Sequence, residues 1–133
     1  MRSRFWMGVV AVVLALGLAA CSENEPLAVI CTEQLVFGLS LEVRDAATGD
    51  PIAHDATASI RDGAWSEEVR AYNPGDPNAL YLVGAAERRG LYAITVAKPG
   101  YAAWDTTGIR VVGDECHVQT VTLKVDMNRV EAR

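Results

Sequence analysis

The side chains that could bind a metal or act in covalent catalysis are few in this chain of 133 residues. They include three cysteines, Cys21, Cys31 and Cys116, and two histidines, His54 and His117. A zinc site needs three or four convergent ligands, and neither histidine has a glutamate three residues further along, as in zinc carboxypeptidases. We therefore expect no metal and no cofactor. A metal site that combines Cys31 and Cys116 with His117 is the less favoured alternative.

Hydroxyl nucleophiles are present, but the residues around them do not form a catalytic pattern. No Gly-x-Ser-x-Gly elbow surrounds Ser40, Ser59 or Ser66. The sequence also has no glycine-rich phosphate loop and no calcium-binding loop. We expect a protein that is not an enzyme, and a small hydrolase is the least favoured alternative.

Residues 1–20 have the build of a secretory signal peptide. Arg2 and Arg4 give a positive start, and the sixteen residues from Phe5 to Ala20 carry no charge. A transmembrane helix is the alternative, but crossing the bilayer core takes about 20 apolar residues. We therefore expect residues 1–20 to be removed.

The end of this segment, Leu18-Ala19-Ala20-Cys21, resembles the lipobox of bacterial lipoprotein precursors. The alternative is an ordinary signal peptide followed by a chance cysteine. The resemblance implies cleavage after Ala20, diacylglycerol on the Cys21 thiol and an acyl chain, such as palmitate, on its amine. Several acyl chains make a stable membrane anchor, whereas one chain binds only marginally. Because Ser22 follows the cysteine instead of aspartate, the resemblance implies the outer membrane if the source is Gram-negative.

With Cys21 assigned to lipid, Cys31 and Cys116 remain as one pair in an oxidising compartment. We predict that they form a disulfide that ties the first strand region to the last. Processing also removes Arg2 and Arg4, which changes the formal net charge from −5 to −7. An acidic domain is repelled by phosphate backbones, so we expect no nucleic-acid partner.

The mature chain reads as one all-β domain, because apolar and polar residues alternate with period two and turn signals separate the alternating stretches. Leu35, Phe37, Leu39, Leu41 and Val43, for example, are expected on one face of the first strand. The predicted strands cover roughly 35–44, 56–61, 64–71, 80–85, 91–97, 109–112 and 117–127. Asp62-Gly63 favours a tight hairpin turn. This pattern predicts a single antiparallel β-sandwich of about seven strands, of the immunoglobulin or transthyretin kind.

The expected layout has four parts. Residues 1–20 form the signal peptide, and residues 21–34 form the lipidated cysteine and a short tether. Residues 35–128 form the sandwich, and residues 129–133 form a C-terminal tail. The nine residues 22–30 reach about 30 Å when fully extended, so the domain should stay close to the membrane.

Exposed rings and arginines are the best candidates for ligand or partner contacts. The rings at or near predicted turns could stack on sugars or anchor a partner protein; they are Trp65, Tyr72, Tyr81, Tyr101 and Trp104. The alternative, which we favour, is that most of them fill the ends of the sandwich. Arg88 and Arg89 at a predicted hairpin tip could bind a carboxylate or phosphate, although a solvated turn is the favoured interpretation.

Three stretches resemble the carboxypeptidase regulatory-like domain, a seven-stranded sandwich related in shape to transthyretin. They are Leu41–Ile52 with Ala56–Ile60, Gly90–Tyr101 with its Gly-x-Tyr strand and Gly-Tyr turn, and Val118–Val125. The segment 87–90 departs from the family pattern, which has an Asp-Gly turn there. The resemblance implies a non-catalytic module that binds or stabilises a partner. We therefore expect a membrane-anchored lipoprotein whose partner is an envelope protein or, alternatively, a glycan.

Overall fold

The computed structural model describes residues 28–131. The predicted signal peptide and Cys21 lie outside this range. Within it the chain forms seven strands and one short 3₁₀ helix, Ala53–Asp55. The strands are β1 (Phe37–Asp45), β2 (Thr57–Asp62), β3 (Trp65–Arg70), β4 (Tyr81–Ala86), β5 (Gly90–Ala97), β6 (Trp104–Val111) and β7 (Val121–Met127). No helix in this part of the chain is both long and apolar enough to span a bilayer.

The strands form two sheets packed as a sandwich, which confirms the predicted fold class. One sheet has the order β4-β1-β7 and the other has the order β3-β2-β5-β6. All neighbouring pairs are antiparallel except β1 and β7, which run parallel, with Leu39 opposite Val121 and Asp45 opposite Met127. The first and last strands are therefore direct neighbours.

The core lies between the sheets and follows the predicted alternation. Leu39, Leu41 and Val43 on β1 have no exposed surface. Buried residues of the other six strands and of the 3₁₀ helix complete the core, among them Ala58, Ile60, Val69, Leu82, Tyr92, Ile94, Val96, Val111, Val125 and Met127. Along β1 the buried positions alternate with Ser40, Glu42 and Arg44, so this strand covers the core with one face only.

The start of β1 departs from the prediction. Leu35 and Phe37, which were expected on the buried face, are 60% and 37% exposed. The reason is that the parallel neighbour begins at Val121, opposite Leu39. Leu35 and Phe37 therefore extend past the end of β7 on this face.

The bounds of the last two strands also differ from the prediction. The strand expected from 109 begins at Trp104, because Gly108 adopts a positive φ of 75° that lets the chain pair with β5 again after an irregularity. The strand expected from His117 begins at Val121. The Asp114 carboxylate accepts the N–H groups of Cys116 and His117 at 2.8 and 2.9 Å, which folds this segment into a turn.

The hairpin predicted at Asp62-Gly63 forms, but its turn residues are shifted by one position. Asp62 pairs with Trp65, so the loop residues are Gly63 and Ala64. Only Gly63 has positive φ, 57°, which is typical of a turn with glycine at its first central position. The segment 87–89 is not a hairpin tip, because β4 and β5 belong to different sheets and this segment crosses between them.

The strand directions define two ends of the sandwich. At the end that we call the disulfide end, β1, β3, β5 and β7 begin and β2, β4 and β6 finish. The opposite end, which we call the far end, holds the 3₁₀ helix and the loops after β1, β3 and β5.

Candidate functional site

The predicted disulfide forms between Cys31 and Cys116, with an S–S distance of 2.00 Å and a Cα–Cα distance of 5.2 Å. Cys31 precedes β1 and Cys116 precedes β7. Because β1 and β7 are parallel neighbours, the segments that lead into them lie at the same end of the sandwich. The disulfide therefore joins the start of the domain to the start of its last strand.

Thr32 and His117, which directly follow the two bonded cysteines, continue this cross-link. Together with Glu87 they form a series of three hydrogen-bonded side chains. The Thr32 hydroxyl lies 2.9 Å from His117 Nε2, and His117 Nδ1 lies 2.8 Å from Glu87 Oε1. An ionised carboxylate only accepts hydrogen bonds, so Nδ1 carries the hydrogen and donates it to Glu87. In the neutral ring, Nε2 then accepts the hydrogen of the Thr32 hydroxyl.

Glu87 holds this chain in place and also binds the backbone that leads into β1. Its carboxylate accepts the Val36 N–H at 2.8 Å, and its own N–H donates to the Val36 carbonyl at 2.8 Å. The bond from the Val36 N–H, assisted by the bond from His117, holds the pKa of Glu87 below its usual value. Glu87 has a positive φ of 48°, a conformation that few non-glycine residues adopt. The sequence does not signal this position.

Arg88 is not a solvated turn residue, contrary to the favoured interpretation of the sequence. Its guanidinium donates to Asp62 Oδ2 at 2.7 Å and to the Tyr92 hydroxyl at 3.1 Å. It also lies 4.3 Å from the centroid of the Trp65 ring, which contacts Tyr92 edge-on. The bond to Asp62, followed by that to Tyr92, raises the pKa of Arg88. This cluster links the β2–β3 hairpin to the crossing segment.

Arg89 and Asp114 hold the third segment of the site. The Arg89 guanidinium donates to the backbone carbonyl of Asp114. The hydrogen bonds from the His117 and Cys116 N–H groups lower the pKa of the Asp114 carboxyl. Arg89 thereby fixes the turn that presents Cys116 and His117.

These three segments surround a cleft of about 630 Å³ at the disulfide end. Among the predicted contact residues, Arg88 and Arg89 line it and the aromatic residues do not. The lining consists of Thr32, Glu33, Gln34, Leu35, Glu87, Arg88, Arg89, Cys116, His117 and Val118. A hydroxyl, an imidazole and a carboxylate in sequence are the arrangement in which a base can activate a nucleophile. The sequence offered one signal for it, since Thr32 and His117 each follow a cysteine of the predicted bridge.

A separate polar cluster closes the far end. The Asp45 side chain, which is 1% exposed, accepts hydrogen bonds from the Ala47 and Thr48 N–H groups. It also accepts from the Tyr101 hydroxyl at 2.8 Å and from Arg129 Nε at 2.6 Å. The bonds from Arg129 and Tyr101 contribute most to an Asp45 pKa far below the usual range. Arg129, expected in a tail, therefore belongs to the packed domain and also forms a bridge with Tyr101.

The predicted aromatic residues separate into two groups. Trp65, Tyr101 and Trp104 are half-buried and pack against the core, as the favoured interpretation expected. Tyr72 is fully exposed in the loop after β3, and Tyr81 is 48% exposed at the start of β4. Only Tyr72 and Tyr81 therefore present much ring surface, and both lie at the far end.

No group of three or more histidine, cysteine, aspartate or glutamate side chains in residues 28–131 is arranged to hold a metal ion. Comparison with models of known protein families and with curated protein sequences gives no match.

Proposed function

We propose that this protein is a bacterial envelope lipoprotein, anchored by lipid on Cys21, whose β-sandwich is a non-catalytic module that binds or stabilises a partner protein. The observation that carries the proposal is the closure of the domain at the end where the chain arrives from Cys21. There Cys31 is bonded to Cys116, and its neighbour Thr32 is bound to His117. Disulfides persist in oxidising compartments outside the cytoplasm, which agrees with an exported chain.

The resemblance to carboxypeptidase regulatory-like domains supports the non-catalytic part of the proposal. Seven strands in two packed sheets are compatible with that resemblance, and such modules accompany other proteins without an active site of their own. A fold does not by itself define an activity, so this support concerns the class of protein and not its partner. If the source is Gram-negative, the proposed location is the outer membrane.

The chain of Thr32, His117 and Glu87 is best explained as a structural clamp. Thr32 and His117 directly follow the two bonded cysteines, so the disulfide brings them together whatever their chemistry. Glu87, in turn, is also bound to the Val36 backbone. All three side chains thus hold the segment that precedes β1 against the domain.

The same geometry favours a small hydrolase as a second candidate, in which His117 would take the proton of the Thr32 hydroxyl during attack on an ester. Screening the purified domain against ester substrates distinguishes a structural clamp from a hydrolase. If the three side chains are only a structural clamp, the native domain should show no more turnover than the Thr32→Val and His117→Ala variants. Turnover that is lost in both variants, while their disulfide stays intact, would establish the hydrolase.

A carbohydrate-binding module is supported by the exposed rings of Tyr72 and Tyr81. Glycan arrays and quenching of tryptophan emission by added sugars test it. Binding that disappears in Tyr72→Ala but persists in Tyr101→Phe would favour this alternative, because Tyr101 is packed inside the domain. No response to any sugar would leave a protein partner as the ligand.

The anchor itself is tested in cells grown with an alkyne-tagged fatty acid. The native protein should incorporate the tag, and mass spectrometry should find the lipid on a peptide that begins at Cys21. Cys21→Ser should lose the tag, whereas the matched Cys31→Ser variant should keep it. A native protein without fatty acid refutes the lipoprotein assignment. Crosslinking in cells with the tagged protein then identifies the partner.

A further inference from the structure

We infer that the disulfide end of the sandwich rests against the lipid surface and that the far end points away from it. This inference depends on the proposed lipid anchor at Cys21 and adds the orientation of the domain. Three observations carry it: the length of the tether, the side along which the tether enters, and the apolar side chains exposed around its entry.

The tether is too short to let the domain turn over freely. From Cys21 to Cys31 the chain can span at most about 35 Å when fully extended. The sandwich is about 30 Å long, because β1 has nine residues with a rise of about 3.4 Å each.

Cys31 lies at the disulfide end, where its bond to Cys116 fixes it to the domain. With this end down, the tether spans only the gap between Cys31 and the membrane. With the far end down, the tether would have to run the whole length of the sandwich, almost at its full extension. The limited reach of the tether therefore favours the first orientation.

Large apolar side chains are exposed around the entry point. Ile30 is 92% exposed, and Leu35 is 60% exposed on the rim of the cleft. Leu91 is the second residue of β5 and Val112 follows β6, so both lie at the same end, and each is 48% exposed. Exposed aliphatic side chains that face a bilayer can insert into its interfacial region, where water is partly excluded.

Charge does not select this end, because acidic and basic side chains are mixed there. Glu87 is bound to His117, and Arg88 is bound to Asp62. The proposed contact is therefore with the apolar and zwitterionic part of the interface and not with anionic headgroups. The orientation should be the same with and without anionic lipid and should depend little on salt.

The test places single tryptophans at the two ends of the lipidated mature protein. In a background in which Trp65→Phe and Trp104→Phe remove the tryptophans of the sandwich, one variant carries Leu91→Trp and a second carries Val112→Trp. The matched control carries Tyr72→Trp at the far end. Each protein is reconstituted in phosphatidylethanolamine vesicles that contain nitroxide-labelled headgroups, with and without phosphatidylglycerol.

Emission from Leu91→Trp and Val112→Trp should be largely quenched and shifted to the blue, while emission from Tyr72→Trp is retained. Equal quenching at the two ends, or stronger quenching of Tyr72→Trp, would overturn the orientation. So would both disulfide-end reporters staying unquenched on protein that sediments with vesicles, the result expected if this end instead docks on a protein. Failure of the anchor is distinguishable, because the native protein would then behave like Cys21→Ser and remain in the supernatant.

Discussion

Removal of the disulfide should destabilise the domain by an amount that depends on what happens to the segment before β1. The change is the double variant Cys31→Ala and Cys116→Ala, which leaves no free thiol in the sandwich. The two cysteines are 85 residues apart. In the chain-entropy model, a loop of that length is worth about 4.5 kcal/mol through its effect on the unfolded chain.

The net effect of the disulfide on stability also depends on the folded state, because Cys31 lies outside the strands. Without the bridge, the segment 28–35 is held mainly by the bond from Thr32 to His117. If the segment detaches, the folded chain regains the freedom of a loop of about five residues, up to Val36. That loop is worth about 2 kcal/mol in the same model, so the net loss falls to about 2.5 kcal/mol.

The expected loss of stability is therefore about 2.5 kcal/mol with a detached segment and about 4.5 kcal/mol with a docked one. For a domain of this size, these values correspond to a decrease in Tm of about 10 and 18 °C. Urea denaturation followed by intrinsic fluorescence measures the free energy, and calorimetry measures Tm. The same cysteine replacements are then made in a Thr32→Val protein. Relative to Thr32→Val with its disulfide intact, they should cause the smaller loss of stability.

The matched control for Thr32→Val is Thr107→Val on the exposed side of β6, which should change neither value. An unchanged denaturation midpoint in the protein without the two cysteines would refute the reasoning. So would a native protein whose Cys31 and Cys116 titrate as free thiols without reductant.

Three further predictions concern the folded domain. Gly84→Ala should lower the free energy of unfolding, measured by urea denaturation, by about 1 to 3 kcal/mol, because the added methyl group would lie 2.6 Å from the Ile60 side chain. The control Gly75→Ala should leave it unchanged, because its methyl group meets no atom closer than 3.7 Å. Because the Asp45 pKa is lowered by folding, its contribution is present above about pH 4 and is lost as pH falls toward the folded pKa. Asp45→Asn should therefore lower Tm at pH 7 and flatten its decrease between pH 5 and 2; a parallel pH profile would contradict this. Arg88→Ala should lower Tm and shift tryptophan emission to the red, while Arg70→Ala, whose side chain is 69% exposed, should do neither; identical effects would argue against the packed guanidinium.

The fold class was predictable because it depends on local alternation. Tyr92, Ile94 and Val96 alternate with less buried residues, and all three are buried as expected. The alternation fails at Leu35 and Phe37, where burial depends on whether a neighbouring strand covers the position. The parallel pairing of β1 with β7 was likewise not predictable, since the alternation of apolar and polar residues gives no information on strand order.

The candidate site was predictable only in part. The disulfide followed from the cysteine count and the predicted compartment, and the contact of Thr32 with His117 could have been inferred from the disulfide. The pairing of Arg88 with Asp62 and Trp65 could not, because it depends on how the β2–β3 hairpin meets the segment that crosses between the sheets. A run such as Glu87-Arg88-Arg89 is usually solvated, and here tertiary packing overrides that preference.

The position of β1 has a consequence for the order in which the domain can fold. β1 is the middle strand of its sheet, and one of its two neighbours is β7, the last strand of the chain. Pairing between segments so far apart along the chain is slow, because a long loop must close before any contact is made. In a polypeptide that emerges amino terminus first, the edge of β1 that pairs with β7 stays unpaired until Val121–Met127 has emerged. The partly emerged chain thus exposes Leu39, Leu41 and Val43 to holdase chaperones, whereas the finished protein buries all three residues.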